Sequence, residues 1–214
     1  MIENILVENL RELGYLLSAI VIPLATVILG RKMFKEKKIA GKFNNIRLIT
    51  FAIFTCFAIM SILEYLVHLS LSPFLDEIFG FEIDNVNLYS ILIGTMVSLG
   101  LTLIFFANRW EAFYYVALFF FGGMIIFYFF TGFDAWLEVY IQIAAICSLI
   151  FMYLTSFRVK DNGALGLAIF FTLAFSVLIV SIPLVTQILI LAYDIFIVIF
   201  SLGFFKIFKQ EVSY

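Results

Sequence analysis

The sequence predicts an all-α, polytopic transmembrane helical bundle of seven spans that forms a single integral membrane domain over residues 1–214. Hydrophobic residues make up 64% of the chain and charged residues only 13%, against roughly 25% in soluble domains. The mean hydropathy is +1.15. A water-soluble fold of this size cannot bury so much apolar surface, so the lipid bilayer must be its solvent over most of its area. We therefore expect a multi-pass protein of the cell membrane.

Seven segments of the chain are long and apolar enough to span a membrane. A spanning helix needs about 20 mostly apolar residues. Residues 2–12 alternate apolar and polar side chains at helical spacing and predict a short interfacial helix before the first span. The predicted spans are residues 13–30, 48–71, 87–107, 111–130, 135–157, 163–182 and 184–205.

The separation of the last two spans depends on Pro183. The chain from Asn162 to Tyr193 is uncharged throughout and too long for one straight crossing. Proline disfavours helical conformation at the residue before it, so the sequence predicts a break there. The alternative is one crossing followed by a re-entrant segment, which gives six spans.

The distribution of cations predicts the orientation of the bundle. More than half of the 13 Lys and Arg residues lie between Arg31 and Arg47, and short loops rich in these residues mark the cytoplasmic side. Alternate connections further along the chain carry the other cations except Arg11. We therefore expect the N-terminus outside and the C-terminus inside.

The loop from Arg31 to Arg47 has a second interpretation. Its cations alternate with apolar residues such as Phe34 and Phe43, so the loop is also able to lie on anionic lipid, each cation contributing about 1 kcal/mol near such a surface. The alternative is a topology signal with no ligand. A net charge of −2 argues against nucleic acid as a partner.

Five polar side chains inside the predicted spans are candidate ligand- or ion-binding residues. Side chains four or seven positions apart share one face of a helix. This spacing places Glu64 and His68 on one face of the second span, and Glu138 and Gln142 on one face of the fifth. Asp194 lies near the middle of the seventh span.

The candidate carboxylates have no permanent cationic partner in the predicted spans. No Lys or Arg lies deep in any of them, and His68 is the only titratable base available. Membrane-embedded acids usually face the bundle interior or a wet cavity. They are then either protonated or accompanied by a mobile cation, such as a proton, a metal ion or an organic amine. The alternative is that Glu64 and His68 bond each other or nearby hydroxyls and join helices without binding a ligand.

The sequence excludes several classes of membrane protein. A retinal protein needs a lysine midway along its last span, where this chain has Asp194. One histidine and two separate cysteines, Cys56 and Cys147, do not form a recognisable metal site, and we expect no cofactor, no resident metal and no enzymatic activity.

The function predicted from these features is a cation- or proton-coupled transporter or channel. Its outward-facing cavity would be lined by the five candidate residues. The alternative is a seven-helix sensor, or a non-catalytic membrane subunit of a larger complex. The oligomeric state is not predicted.

Overall fold

The computed structural model describes residues 2–69, 71, 86–132, 135–180, 182–203 and 207–208. Within this part of the chain the protein forms seven α-helices and no strand, which confirms the predicted all-α bundle. A 3₁₀ turn, Glu111–Phe113, precedes the fourth helix. The helices are α1 (Ile2–Ala40), α2 (Asn45–His68), α3 (Val86–Asn108), α4 (Val116–Thr131), α5 (Ala135–Val159), α6 (Asn162–Ile179) and α7 (Pro183–Leu202).

Six of the seven described helices are long and apolar enough to cross a membrane. The exception is α6, whose apolar stretch Asn162–Val177 is shorter. Its 18 residues measure about 27 Å at 1.5 Å per residue, slightly less than the roughly 30 Å hydrocarbon core of a bilayer. The orientation of the bundle in the membrane stays a prediction.

Helix ends are marked by side chains that satisfy free backbone groups. The Asn44 side chain accepts a hydrogen bond from Ile46 N at 3.0 Å, and Asp161 accepts one from Ala164 N at 2.7 Å, so both residues cap the N-termini that follow them. Helix α7 begins with Pro183 and is followed by Gly203 in the left-handed region, with φ of 85°. The predicted break at Pro183 is confirmed.

Helix α1 differs from its prediction at both ends. It runs without interruption for 39 residues, so residues 2–12 continue into the first span and do not form a separate interfacial helix. The segment after Arg31 is helical as far as Ala40, not a loop, because Lys, Arg, Glu and Met are good helix formers. At 1.5 Å per residue α1 measures about 58 Å, about twice the thickness of the hydrocarbon core.

Six helices form a closed ring around the interior of the bundle. Each packs on two neighbours, in the order α1, α2, α3, α5, α6, α7 and back to α1. Helix α4 lies outside the ring against α3 and α5. Within the ring α2 and α6 also touch, through contacts such as the edge-to-face pair of Phe57 and Phe170, whose ring centroids are 4.6 Å apart. The ring therefore encloses space only where α2 and α6 diverge.

Gly166 provides the close contact between α6 and α7. A Cβ atom built on Gly166 would overlap the ring of Phe200, which is buried and stacks on Phe54 at 5.9 Å and on Phe196 at 6.3 Å. The Phe200 side chain is therefore held on two sides and has little freedom to move away from a methyl group added at position 166.

We expect Gly166→Ala to destabilise the protein by about 1–3 kcal/mol, the usual cost of overpacking a core. The measurement is thermal or denaturant unfolding in detergent. The matched control is Gly122→Ala, because nothing lies within 4 Å of a Cβ at Gly122. That control should be neutral or slightly stabilising, and equal stability of the two variants would contradict the packing at Gly166.

Candidate functional site

The ring encloses a cavity of about 460 Å³, which we call the central cavity. All six ring helices contribute to its wall, whereas α4 does not. Tyr15 on α1 and Gln187 on α7 belong to its lining. Both residues lie toward the ends of their helices that are away from the Lys-rich end of α1. If the predicted orientation holds, the cavity is in the outer half of the membrane.

The wall of the central cavity is mainly apolar. Its apolar side chains include Phe57, Ile93, Met96, Leu149, Met152 and Phe171. The polar side chains include Tyr15, Ser18, Ser61, Glu64, Gln187 and Tyr193. Among the described residues that line the cavity there is no Lys or Arg.

Asp194 lies behind the cavity wall and is held by a hydroxyl chain. Ser18 Oγ donates to Asp194 Oδ2 at 2.9 Å and is 3.1 Å from the Tyr193 hydroxyl. A serine hydroxyl has one proton, so Tyr193 donates to Ser18 while Ser18 donates to Asp194. The hydroxyl protons of Ser18 and Tyr193 are thus both used in hydrogen bonds within this chain, although the two side chains line the cavity.

Two buried acceptors of α7 have no hydrogen-bond partner among the described residues. They are Asp194 Oδ1 and Gln187 Oε1, in side chains whose residues are only 3% and 8% exposed. The two residues are about 10 Å apart along the helix axis. Burying such atoms without a donor costs about 1–3 kcal/mol, and more for a charged group. Neither atom has exposed surface, so neither is open to the cavity.

Glu64 lines the cavity, but it is not paired with His68. Both residues are described and half-buried, and no ion pair joins them. The His68 ring instead packs on Tyr15, with centroids 4.7 Å apart and an interplanar angle of 32°. Glu64 of α2 and Tyr193 of α7 both line the cavity, whereas Asp194, the next residue of α7, lies behind its wall and accepts the hydrogen bond from Ser18.

Glu138 and Gln142 lie outside the central cavity. Both are exposed, and Gln142 Nε2 donates to Glu138 Oε1 at 2.8 Å. They belong to the same stripe of α5 as Ala145 and Leu149, which do line the cavity. Along the helix axis Glu138 is about 10 Å from Ala145, toward the N-terminus of α5. The structure therefore places this pair beyond the end of the cavity and not in its wall.

A second, smaller pocket lies at the opposite end of the bundle. It measures about 270 Å³ and is lined by Lys32 and Glu36 of α1, Arg47 of α2, Asn162 of α6 and Phe200 of α7. We call it the basic pocket. Lys32 Nζ donates to the Ser201 carbonyl at 2.5 Å, and Arg47 Nε is 3.8 Å from Glu36 Oε2. Its cations are therefore partly neutralised by contacts within the protein.

A buried aromatic layer separates the central cavity from the basic pocket. Phe54 is fully buried and stacks on Phe170 at 5.5 Å and on Phe200 at 5.9 Å. On α2, Phe57 lines one cavity and Thr50 the other, which makes the layer about 10 Å thick along the helix axis. The central cavity is thus closed toward the basic end.

The fold and the site define a class of protein without naming a member of it. The chain is an apolar helical bundle of the kind found in integral membrane proteins, with an internal cavity whose described lining carries a carboxylate, that of Glu64. Comparisons with protein families, with curated proteins and with solved structures found no match to this chain.

Sequence reasoning missed the residues that hold Asp194. Ser18 and Tyr193 were not predicted as site residues. A signal was present in α1, where Gly14 and Ser18 are four residues apart and lie on one face. A Cβ at Gly14 would be 3.2 Å from Ile190, so this small-residue face is where α1 approaches α7.

Proposed function

We propose that this protein binds a small cation in its central cavity and carries it across the membrane, either alone or coupled to protons. The observation that supports this most directly is the Glu64 carboxylate in the wall of an internal cavity whose described lining includes no Lys or Arg. A carboxylate in such a wall has no fixed positive partner, and a bound cation supplies one. The proposal is one of binding and transport without catalysis.

The position of the cavity supports access from the outer side. The central cavity is at the end of the bundle away from Lys32 and Arg47, and cations of this kind mark the cytoplasmic side. The aromatic layer around Phe54 closes the other end. Such an arrangement fits the outward-facing, inward-closed state of a transporter.

The test of this proposal is Glu64→Gln in proteoliposomes loaded with a pH-sensitive dye. Gradients of Na⁺, K⁺ or methylammonium drive the flux. Glutamine keeps the size of the side chain and removes its charge, so we expect at least about a tenfold lower rate, the effect of losing one charge-assisted contact.

The control for this test is Glu111→Gln, which removes an exposed carboxylate in the 3₁₀ turn, away from the central cavity. It should leave the rate unchanged. Flux that is equal in wild type, Glu64→Gln and protein-free vesicles would refute transport.

The end of α1 supports a sensor or complex subunit as a second candidate function. In the last two turns of this helix, the apolar Phe34 and Ile39 side chains are 53% and 81% exposed. A rigid helix with such side chains offers a surface to a partner chain. Isolation of a stoichiometric partner from mild detergent, together with absence of flux, would favour this candidate.

A further inference from the structure

The size of the central cavity indicates an organic ligand. Its volume of about 460 Å³ lies within the range of roughly 300–1,000 Å³ that is typical of pockets for small organic molecules. A bare proton or a metal ion would leave most of this space empty, and empty space of this size forgoes packing contacts.

The chemistry of the wall indicates that most of the ligand is apolar. Phe57, Met96, Leu149 and Phe171 face this space, and such side chains bind an apolar body by excluding water from both surfaces. Aromatic rings also attract an organic cation through their faces.

The acidic side chain in the cavity wall specifies what the ligand must donate. It is Glu64, whose carboxylate oxygens only accept hydrogen bonds, and the described lining offers it no Lys or Arg. The nearby hydroxyl protons of Ser18 and Tyr193 are already used in the chain that ends at Asp194 Oδ2. A protonated amine carries several N–H donors on one positive charge, and hydrogen bonds between charged groups are the stronger ones.

A coordinated metal ion fits the site less well. No group of three or more His, Cys, Asp or Glu side chains able to hold a metal occurs in the described part of the chain. Structural and catalytic zinc sites use three or four such ligands, and calcium takes six to eight oxygens. The described residues therefore provide no cluster of the side chains that zinc sites use.

From these observations we infer that the substrate class is a small amphiphilic organic ammonium ion. Its charged N–H group is held at the Glu64 carboxylate, and its apolar body lies among Phe57, Met96 and Phe171. This inference rests on the proposed function, because it names the cation for the same cavity.

The test is binding of radiolabelled phenethylamine to the purified full-length protein in nanodiscs. Unlabelled competitors are phenethyl alcohol, which keeps the ring without the charge, and phenethyltrimethylammonium, which keeps the charge without N–H donors. We expect both to compete about 10- to 100-fold more weakly than phenethylamine, the effect of losing charged hydrogen bonds. Na⁺ and Zn²⁺ alone should not displace the label.

Two variants assign the binding to this cavity. Glu64→Gln and Phe171→Ala should each weaken phenethylamine binding by about tenfold or more, because both side chains line the cavity, whereas Glu111→Gln should bind as wild type does. Because Gln is nearly isosteric with Glu, Glu64→Gln still reports if Phe171→Ala fails to fold.

The outcomes separate this inference from the proposed function. Equal affinity for the amine and the alcohol, or binding that neither variant changes, would overturn the ammonium assignment. Proton or Na⁺ flux that depends on Glu64, without amine binding, would also overturn it and leave the proposed function standing. Absence of both flux and binding would remove both.

Discussion

Replacing Asp194 with Asn abolishes cation binding and flux if the central cavity works as proposed. Asp194 is 3% exposed and accepts a hydrogen bond from Ser18, which lines the cavity. The described lining includes no Lys or Arg, so a cation bound in the cavity would be the main source of positive charge near Asp194. Removing one partner of a buried, hydrogen-bonded charge pair typically costs about 2–5 kcal/mol, or at least about 30-fold in affinity. The measurements are methylammonium-driven flux in proteoliposomes and equilibrium binding in nanodiscs.

The fold should survive this substitution. Asn keeps a side-chain oxygen that accepts the hydrogen bond from Ser18 Oγ, now 2.9 Å from Asp194 Oδ2, and it removes a buried charge that is costly in the absence of a ligand. Thermal unfolding without ligand should therefore be close to that of wild type. A folded Asp194→Asn protein with full flux would show that this carboxylate has only a structural role.

Phe54→Ala is expected to have the largest effect on stability. Phe54 is fully buried, its ring stacks on Phe170 and Phe200, and Phe→Ala changes in cores typically cost about 3–5 kcal/mol. The loss comes from the removed ring contacts and from the void that a packed interior does not fill completely. The free energy of unfolding in a denaturing-detergent titration measures the effect.

The matched control for Phe54 is Phe119→Ala in α4. Phe119 is 75% exposed, on the helix that lies outside the ring. In a bilayer its ring contacts lipid, which is as apolar as the protein interior, so its removal should cost much less. Similar losses for the two variants would show that Phe54 is not part of a specifically packed layer.

Helix number and helix ends are readable in the sequence because they depend on local chemistry. The uncharged run broken at Pro183 predicts two helices, and the structure has α6 ending at Ile179 and α7 beginning at Pro183. The proline ring acts on its immediate neighbour, so no tertiary information is needed. The extension of α1 past Arg31 was missed because its charges were treated as a loop signal, although they also favour helix.

The composition of the cavity is not readable in the same way, because it depends on which helices are neighbours. Glu64 and Glu138 are both acids in apolar spans, and nothing local distinguishes them. Only the ring order places Glu64 in the wall and Glu138 beyond it, exposed and bonded to Gln142. Ser18 likewise becomes significant only when α1 packs on α7, the last helix of the chain.

Helix α1 is hydrogen-bonded to α7 at two widely separated points along its length. Ser18 bonds the α7 residue Asp194 inside the bundle, and Lys32, about 21 Å further along the axis, bonds the Ser201 carbonyl. Among the described residues, the hydrogen bond from Lys32 is the one between α1 and α7 that does not involve Ser18. Loss of the Ser18 bond alone would therefore leave α1 attached to α7 at Lys32, so the part of α1 around Ser18 could move relative to α7 while the Lys32 end stays in place.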